Sequence, residues 1–302
     1  MNTYERARAF MYRHARPLEL ALWQFHFENG SADSVLRALS FYQNEDGGFG
    51  HGLEADNWNP LSSPLTTQTA TEVLYAVDAP REHPLVQNTL RYLDSGAHFD
   101  AAHHQWLNCV PSNNDAPHAV WWTYREGEDA FAYNPTAALA AFILHYAQKD
   151  SPLYEKGRAI AQEAIAWFLN KGVFGEKHVT YCFLRLAQFA KSHGIPGLDA
   201  LEDVLHAQVR HNICPDMSKY GVEYVDRPTD LIDGPAHPYY PDIAGTAQAE
   251  CQFLMDSQLA DGSWPVPWTW CNDDREFVIA EDWWKGHIAL KHILYLRHFG
   301  RI

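Results

Sequence analysis

Cysteine is scarce in this 302-residue chain. There are five (Cys109, Cys182, Cys214, Cys251, Cys271), an odd number with no C-x-x-C spacing. That excludes a disulfide framework or a ribbon-type zinc site and points to a reduced, cytoplasmic protein. No apolar run approaches the roughly 18 residues that a membrane span requires. The opening MNTYERARAF lacks the apolar core of a secretory signal. Basic residues are few, 23 against 38 acidic, for a formal charge of −15. Such a surface suits neither nucleic acid nor an anionic membrane. Alternating strand patterns of useful length are missing. Pro and Gly are dispersed, so no linker divides residues 1–302, which are expected to form one domain.

Aromatic residues are plentiful: 14% of the chain, with eleven Trp and fifteen Tyr. Several sit in polar loop sequences, VWWTY at 120–124 and SWPVPWTW at 263–270. Tryptophan is costly to leave in water, so these loops are expected to pack on the body or line a binding surface. Apolar residues at spacings of three and four predict helices over 18–27, 33–43, 67–77, 83–93, 135–147, 159–169, 179–190, 198–209, 246–258 and 284–299. The chain reads as all-α.

A local pattern repeats. Gln43 is followed by NEDGGFG and Gln258 by LADGSWP, with Leu39 and Leu254 four residues before each Gln. Weaker echoes are YLDSGAHFD at 92–100 and WFLNKGVFG at 167–175. Each ends a helix, turns on Gly and plants one aromatic ring. The Gln amide is expected to bond backbone groups of a neighbouring helix. FYQNEDGGFGHG at 41–52 resembles a phosphate-binding loop, but a phosphate loop has no reason to recur at successive hairpins. Scaffold is the better reading.

The pattern Phe253-Leu254-x-x-x-Gln258-x-x-Asp261-Gly262-x-Trp264 resembles the QW repeat of squalene–hopene and related terpenoid cyclases. Gln43-x-x-Asp46-Gly47-Gly48-Phe49 is similar to the version those cyclases share with protein prenyltransferase β-subunits. The resemblance implies an α/α toroid of five or six helical hairpins, with inner helices ringing a central cavity. Class II cyclases carry an acid motif D-x-D-D-T-A. Here Asp242-Ile243-Ala244-Gly245-Thr246-Ala247 keeps the first Asp and the Thr-Ala but has Ala and Gly at the acid positions. The cyclase proton donor is therefore expected to be absent. Prenyltransferase β-subunits bind zinc through Asp, Cys and His. This chain offers Cys271-Asn272-Asp273 in reversed order, with His287 further on, so no metal or other cofactor is assigned.

Connections near residues 29, 79, 149 and 193 are short, whereas 44–66, 96–134, 212–242 and 259–282 are long. In antiparallel hairpins of one ring the long loops gather on one rim, where function concentrates. The stretch 212–242 also separates two apparently outer helices, so a distorted inner element is expected there. Candidate acids and bases on the rim are Glu54, Asp56, Asp242, Asp273 and Asp282. Candidate ligand-binding residues are His51, Tyr124, Tyr133, Asn134, Trp264 and Trp268. Several of these also suit plain helix capping, above all Asn134, Asp242 and Asp282.

The leading expectation is a terpenoid-cyclase/prenyltransferase-like toroid holding a small apolar or isoprenoid ligand in its cavity. The alternatives are a carbohydrate-active toroid, hydrolase or lyase, and a non-catalytic binding module. A hydrolase would pair carboxylates such as Glu54 and Asp273. A lyase would use Tyr or His as base with Arg or Lys on a uronate, for example Tyr124, Tyr133 or His51 with Arg125.

Overall fold

The computed structural model describes residues 1–272 and 274–302. It is mostly helical: among the described residues are twelve α-helices and one two-stranded antiparallel ribbon, in which Phe99–Asp100 (β1) pairs with Gln105–Trp106 (β2). Each of the ten predicted segments overlaps a helix. Two helices escaped the pattern, α1 (Thr3–His14) and α10 (Pro228–Leu231). The second is the short element that occupies 212–242. The chain forms two compact units, one from Leu39–Leu205 and one from Met1–Ala38 with His206–Ile302.

The continuous unit is organised on α6 (Thr136–Tyr146), whose sequence TAALAAFILHY is apolar on every face. Ten of its eleven residues are buried, and α6 packs against α4 (Pro64–Ala76), α5 (Pro84–Ser95), α7 (Pro152–Lys171) and α8 (Lys177–Ala190). Fully burying Leu139, Phe142, Ile143 and Leu144 contributes roughly 1.5–3 kcal/mol each. Local signals start the surrounding helices. Ser63 and Ser151 accept from the backbone N–H groups of Thr66 and Tyr154, each followed by Pro in the first turn, and Glu176 accepts from His178 and Val179. Two long loops of this unit are knitted together. Asn57 Nδ2 and Asn59 Nδ2 donate to Asn113 Oδ1 at 3.1 and 3.0 Å, and Trp58 N donates to Pro117 O at 2.9 Å.

In the discontinuous unit α1 packs on α2 (Pro17–Phe27) and on α12 (Asp274–His298), and α10 packs on α11 (Tyr240–Asp256) and α12. Helix α12 starts ten residues before the predicted 284. Its first turns carry Glu276, Glu281 and Asp282, which hide the apolar period. Asp282 therefore lies two turns inside the helix rather than at its cap. Asp242 likewise falls in the first turn of α11, with Tyr239 at the cap.

The repeated turn has one geometry in two places. Gln43 Nε2 donates to Gly47 O at 3.0 Å and to Leu85 O at 3.1 Å, at the start of α5. Gln258 Nε2 donates to Gly262 O at 2.9 Å and to Thr3 O at 3.0 Å, at the start of α1. The Asp46 carboxylate takes the Gly48 N–H and the Ser62 hydroxyl; the Asp261 carboxylate takes both groups of Ser263. Gly47 and Gly262 have φ of +96° and +99°, which L side chains rarely adopt. Leu39, Phe49, Leu254 and Trp264 are buried beneath the turns. At 41–52 a carboxylate of the chain already holds the Gly48 amide, and that glycine is buried, an arrangement of scaffold rather than of an anion site.

Candidate functional site

The residues singled out in the sequence divide between the two units. In the continuous unit, His51 (φ +57°) bonds Asn44 Oδ1 through Nε2 at 2.8 Å on an exposed turn. Glu54 is half-buried, its carbonyl accepting from Asn57 N at 3.0 Å, while Asp56 is 3% exposed and its carbonyl accepts from Ala119 N at 2.8 Å. Tyr124 exchanges backbone bonds with the Asn114 side chain. Tyr133 is buried at the foot of α6, packed on Trp167 and Phe183, and burial raises its pKa. Asn134 Oδ1 accepts from the Cys182 thiol at 3.5 Å.

In the other unit the Asp242 carboxylate is clasped by His206 and Arg210. Trp264 lies in the core, its Nε1 donating to Leu254 O at 2.8 Å and its ring edge-on to His292. Trp268 meets Trp284 and Tyr224. Asp282 pairs with His14 at 3.5 Å and borders a depression of about 370 Å³ that Val278, Trp283 and Lys285 also line. Asp273 lies outside the described residues. Among the described residues no three His, Cys, Asp or Glu side chains gather as a metal site.

The best-formed constellation is one that the sequence reading missed. On α4, Glu72 is the sole charged residue of a thirteen-residue helix. On α8, Tyr181 and Arg185 stand four apart and so share a face. Tyr181 Oη donates to Glu72 Oε2 at 2.5 Å and Arg185 Nε donates to the same oxygen at 2.7 Å. Arg185 Nη2 donates to Tyr181 Oη at 2.9 Å and its Nη1 to Gln188 at 2.7 Å. The other Glu72 oxygen accepts from Gln68 at 3.2 Å. Burial, and then the nearby Glu72 charge, hold the Tyr181 phenol well above its usual pKa, against the pull of Arg185. Burial alone would lower Arg185, yet Tyr181 and Glu72 keep it above its ordinary value. At neutral pH the three groups are thus a phenol, a guanidinium and their shared acceptor.

Beside this cluster lies an aromatic wall. Tyr75 stacks on Phe189 at 4.2 Å and on Tyr146 at 5.9 Å, with Phe142 edge-on. The hydroxyls of Tyr75 and Tyr146 are buried without a partner among the described residues. Burial raises both phenols, Tyr146 to about 12. Orphaned hydroxyls cost about 1–3 kcal/mol each, and clusters of them are more expected at binding sites than in plain cores.

A second polar assembly joins α10, α11 and α12. Glu250, fully buried, accepts from Thr229 N and Oγ1 at 2.9 and 2.8 Å, and Arg227 Nε stands 3.7 Å away. Arg227 Nη2 meets His292 Nε2 at 3.1 Å, and Lys291 pairs with Asp230 at 2.9 Å. Burial pushes the Glu250 carboxyl up to about 7, against the pull of Arg227. It pushes His292 well down, helped by Arg227 and Lys291. Each member is tied to another, and the assembly anchors the short α10 to its neighbours.

No family model matches the chain, and neither a curated protein nor a solved structure is similar to it. The functional reading therefore rests on the site's own chemistry.

Proposed function

We propose that this protein is an α/α-toroid enzyme of the carbohydrate-active kind, with Tyr181, Glu72 and Arg185 as its proton-transfer group. The toroid reading is supported by the two equivalent Gln–Asp–Gly turns and by the stretch in which the long connections 41–63 and 96–135 alternate with the short ones 28–31, 77–83 and 147–151. The observation that carries the chemistry is the Tyr181 hydroxyl held between a carboxylate and a guanidinium.

That arrangement suits elimination better than hydrolysis. A glycoside hydrolase spaces two carboxyl groups roughly 5–10 Å apart around the scissile bond. Here a phenol and one carboxylate are in direct contact. In a lyase reaction the Tyr181 oxygen takes the proton beside a uronate carboxylate while its own proton passes to Glu72. Arg185, bonded to both oxygens, holds the charge during the transfer. The proton then returns through Tyr181 to the departing glycosidic oxygen, and a carbon–carbon double bond is left in the product. No added oxidant or metal is needed for the balance.

The test is incubation with a panel of polyuronates, followed by the ultraviolet absorbance of the unsaturated product. Tyr181→Phe should lower the rate at least a hundredfold with the fold intact. Turnover that survives Tyr181→Phe unchanged would overturn the assignment.

An isoprenoid ligand is the second reading, favoured by the Tyr75, Phe142, Tyr146 and Phe189 wall and by the resemblance to terpenoid cyclases. Asp242, the remaining acid of the cyclase-like motif, is engaged by a histidine and an arginine, which argues against cyclisation started by that residue. A thermal-shift panel separates the two readings. Stabilisation that grows with prenyl diphosphate length, and none by saccharides, would favour the isoprenoid.

A further inference from the structure

The guanidinium of Arg185 is not fully spent by the side chains around it. An arginine carries five N–H donors in one plane. Nε donates to Glu72 Oε2 at 2.7 Å, with Tyr181 Oη also within 3.2 Å. Nη2 donates to Tyr181 Oη at 2.9 Å, and Nη1 donates to Gln188 Oε1 at 2.7 Å. One N–H on Nη1 and one on Nη2 are left without an acceptor among the described residues. The Arg185 and Glu72 side chains keep 29% and 21% of their surface open, so a solute can reach the pair.

Charge and shape decide what fits the two spare donors. They sit on the two terminal nitrogens of one flat cation, and a carboxylate meets such nitrogens with two parallel bonds. A hydroxyl has a single oxygen and leaves that match unused. A phosphate brings nearly twice the charge close to Glu72, and the repulsion grows in proportion. Toward a singly charged anion the repulsion is softened, because the Glu72 charge is already shared with Gln68, Tyr181 and Arg185. One turn further along the same two helices, Tyr75 and Phe189 stack at 4.2 Å and 19°. Their rings keep water from that side of the cluster, and a charged hydrogen bond gains strength where water is kept away.

We infer that Arg185 receives the substrate's own carboxylate on its two open N–H groups, so that the site takes uronates with a free acid and not their esters. This inference rests on the lyase reading above. It sets the carboxylate beside Tyr181, because Arg185 also bonds the Tyr181 hydroxyl. Elimination needs that placement. The proton removed is the one next to the carboxylate, and the paired guanidinium stabilises the negative charge that builds there.

Calorimetric titration tests the assignment in a Tyr181→Phe background, where nothing is turned over. The probes are trisaccharides of galacturonate, glucuronate and mannuronate, each as the free acid, the methyl ester and the neutral alcohol. The free acid of one series should bind at least about tenfold more tightly than its ester or alcohol. Arg185→Lys keeps a charge for Glu72 but has no planar fork, and most of that preference should go. The comparison of acid with ester needs no change at Arg185, so it decides even where that variant is unstable. Equal binding of acid and ester, or a preference that Arg185→Lys leaves unchanged, would overturn the carboxylate site. The lyase reading stands in that case if the wild type still cleaves polyuronates. Acid-selective binding that depends on Arg185, with no polyuronate cleaved, would keep the site and sink the lyase. If no uronate trisaccharide binds, the carboxylate site falls.

Discussion

Glu250 is a carboxyl that folding makes harder to ionise, and replacing it by Gln isolates what that costs. Its pKa rises from an ordinary 4.5 to about 7, chiefly through burial. A raised folded-state pKa means that the native state binds this proton more tightly than the unfolded chain. The stability it contributes is full below about pH 4.5 and lost as pH rises through about 7. At 1.36 kcal/mol per pKa unit the loss amounts to about 3 kcal/mol. Three histidines run the other way. His26 and His287 are held down at about 4 and His292 well below its usual value, all mainly by burial. Their contribution is present above about pH 6.5 and fades as pH falls. Wild-type stability alone therefore mixes opposing slopes, and the comparison with Glu250→Gln separates them. The amide keeps an oxygen for Thr229, and any fixed penalty from leaving Arg227 without its carboxylate does not vary with pH. Urea unfolding of both proteins from about pH 4.5 to 8 should show the variant gaining on wild type by up to about 3 kcal/mol as pH rises. Parallel curves would refute the reasoning and show that Glu250 ionises in the fold as readily as in water.

Other outcomes follow from the same geometry. A Cβ at Gly47 would lie 2.0 Å from Asn88 O, and one at Gly262 2.2 Å from Arg6 O. Either Gly→Ala should cost about 3 kcal/mol or more in chemical denaturation, whereas Gly300→Ala, also left-handed but in open space, should cost only about 1 kcal/mol. Gln43→Ala and Gln258→Ala each remove three side-chain hydrogen bonds and should destabilise by about 1–3 kcal/mol, measured the same way. Among the thiols, Cys271 is exposed while Cys182 and Cys251 are buried, and burial pushes Cys109 and Cys251 up to about 11 and Cys182 further. A maleimide should label Cys271 first, and Cys182 and Cys251 only on unfolding, as peptide mapping would report.

The helices and turns were legible because their causes are local. Leu39, Gln43, Asp46, Gly47 and Phe49 spell out a helix end, its amide clamp and its plug, and the same letters return at Leu254, Gln258, Asp261, Gly262 and Trp264. Helix α1 was missed because TYERARAFMYRH interleaves its few apolar side chains with charge. Helix α10 was missed because four residues hold no period. The Glu72–Tyr181–Arg185 cluster is hidden for a different reason. Carboxylates in long loops stand out in a sequence, whereas these three sit in mid-helix, with Glu72 more than a hundred residues from the other two. One signal was available: a lone acid in the otherwise uncharged α4, and a Tyr–Arg pair at i, i+4 within the apolar α8. Both place polarity where the helical period asks for none. The tie of Asp242 to His206 and Arg210 was not readable at all, since it depends on how α9 (Leu198–Asn212) packs beside α11.

The bond from Gln258 to Thr3 has a consequence for the order in which this protein is made. The first helix emerges from the ribosome with only α2 of the elements that hold it. Its other partners, the turn at 258–262 and α12, follow some 250 residues later. The stretch Leu39–Leu205 has no such wait, because every helix that packs on α6 lies within about seventy residues of it in sequence. Synthesis thus delivers a self-sufficient middle first. The opening α1–α2 pair stays without its α12 cover until the tail arrives, leaving apolar side chains such as Phe10 and Met11 open to chaperones for most of translation.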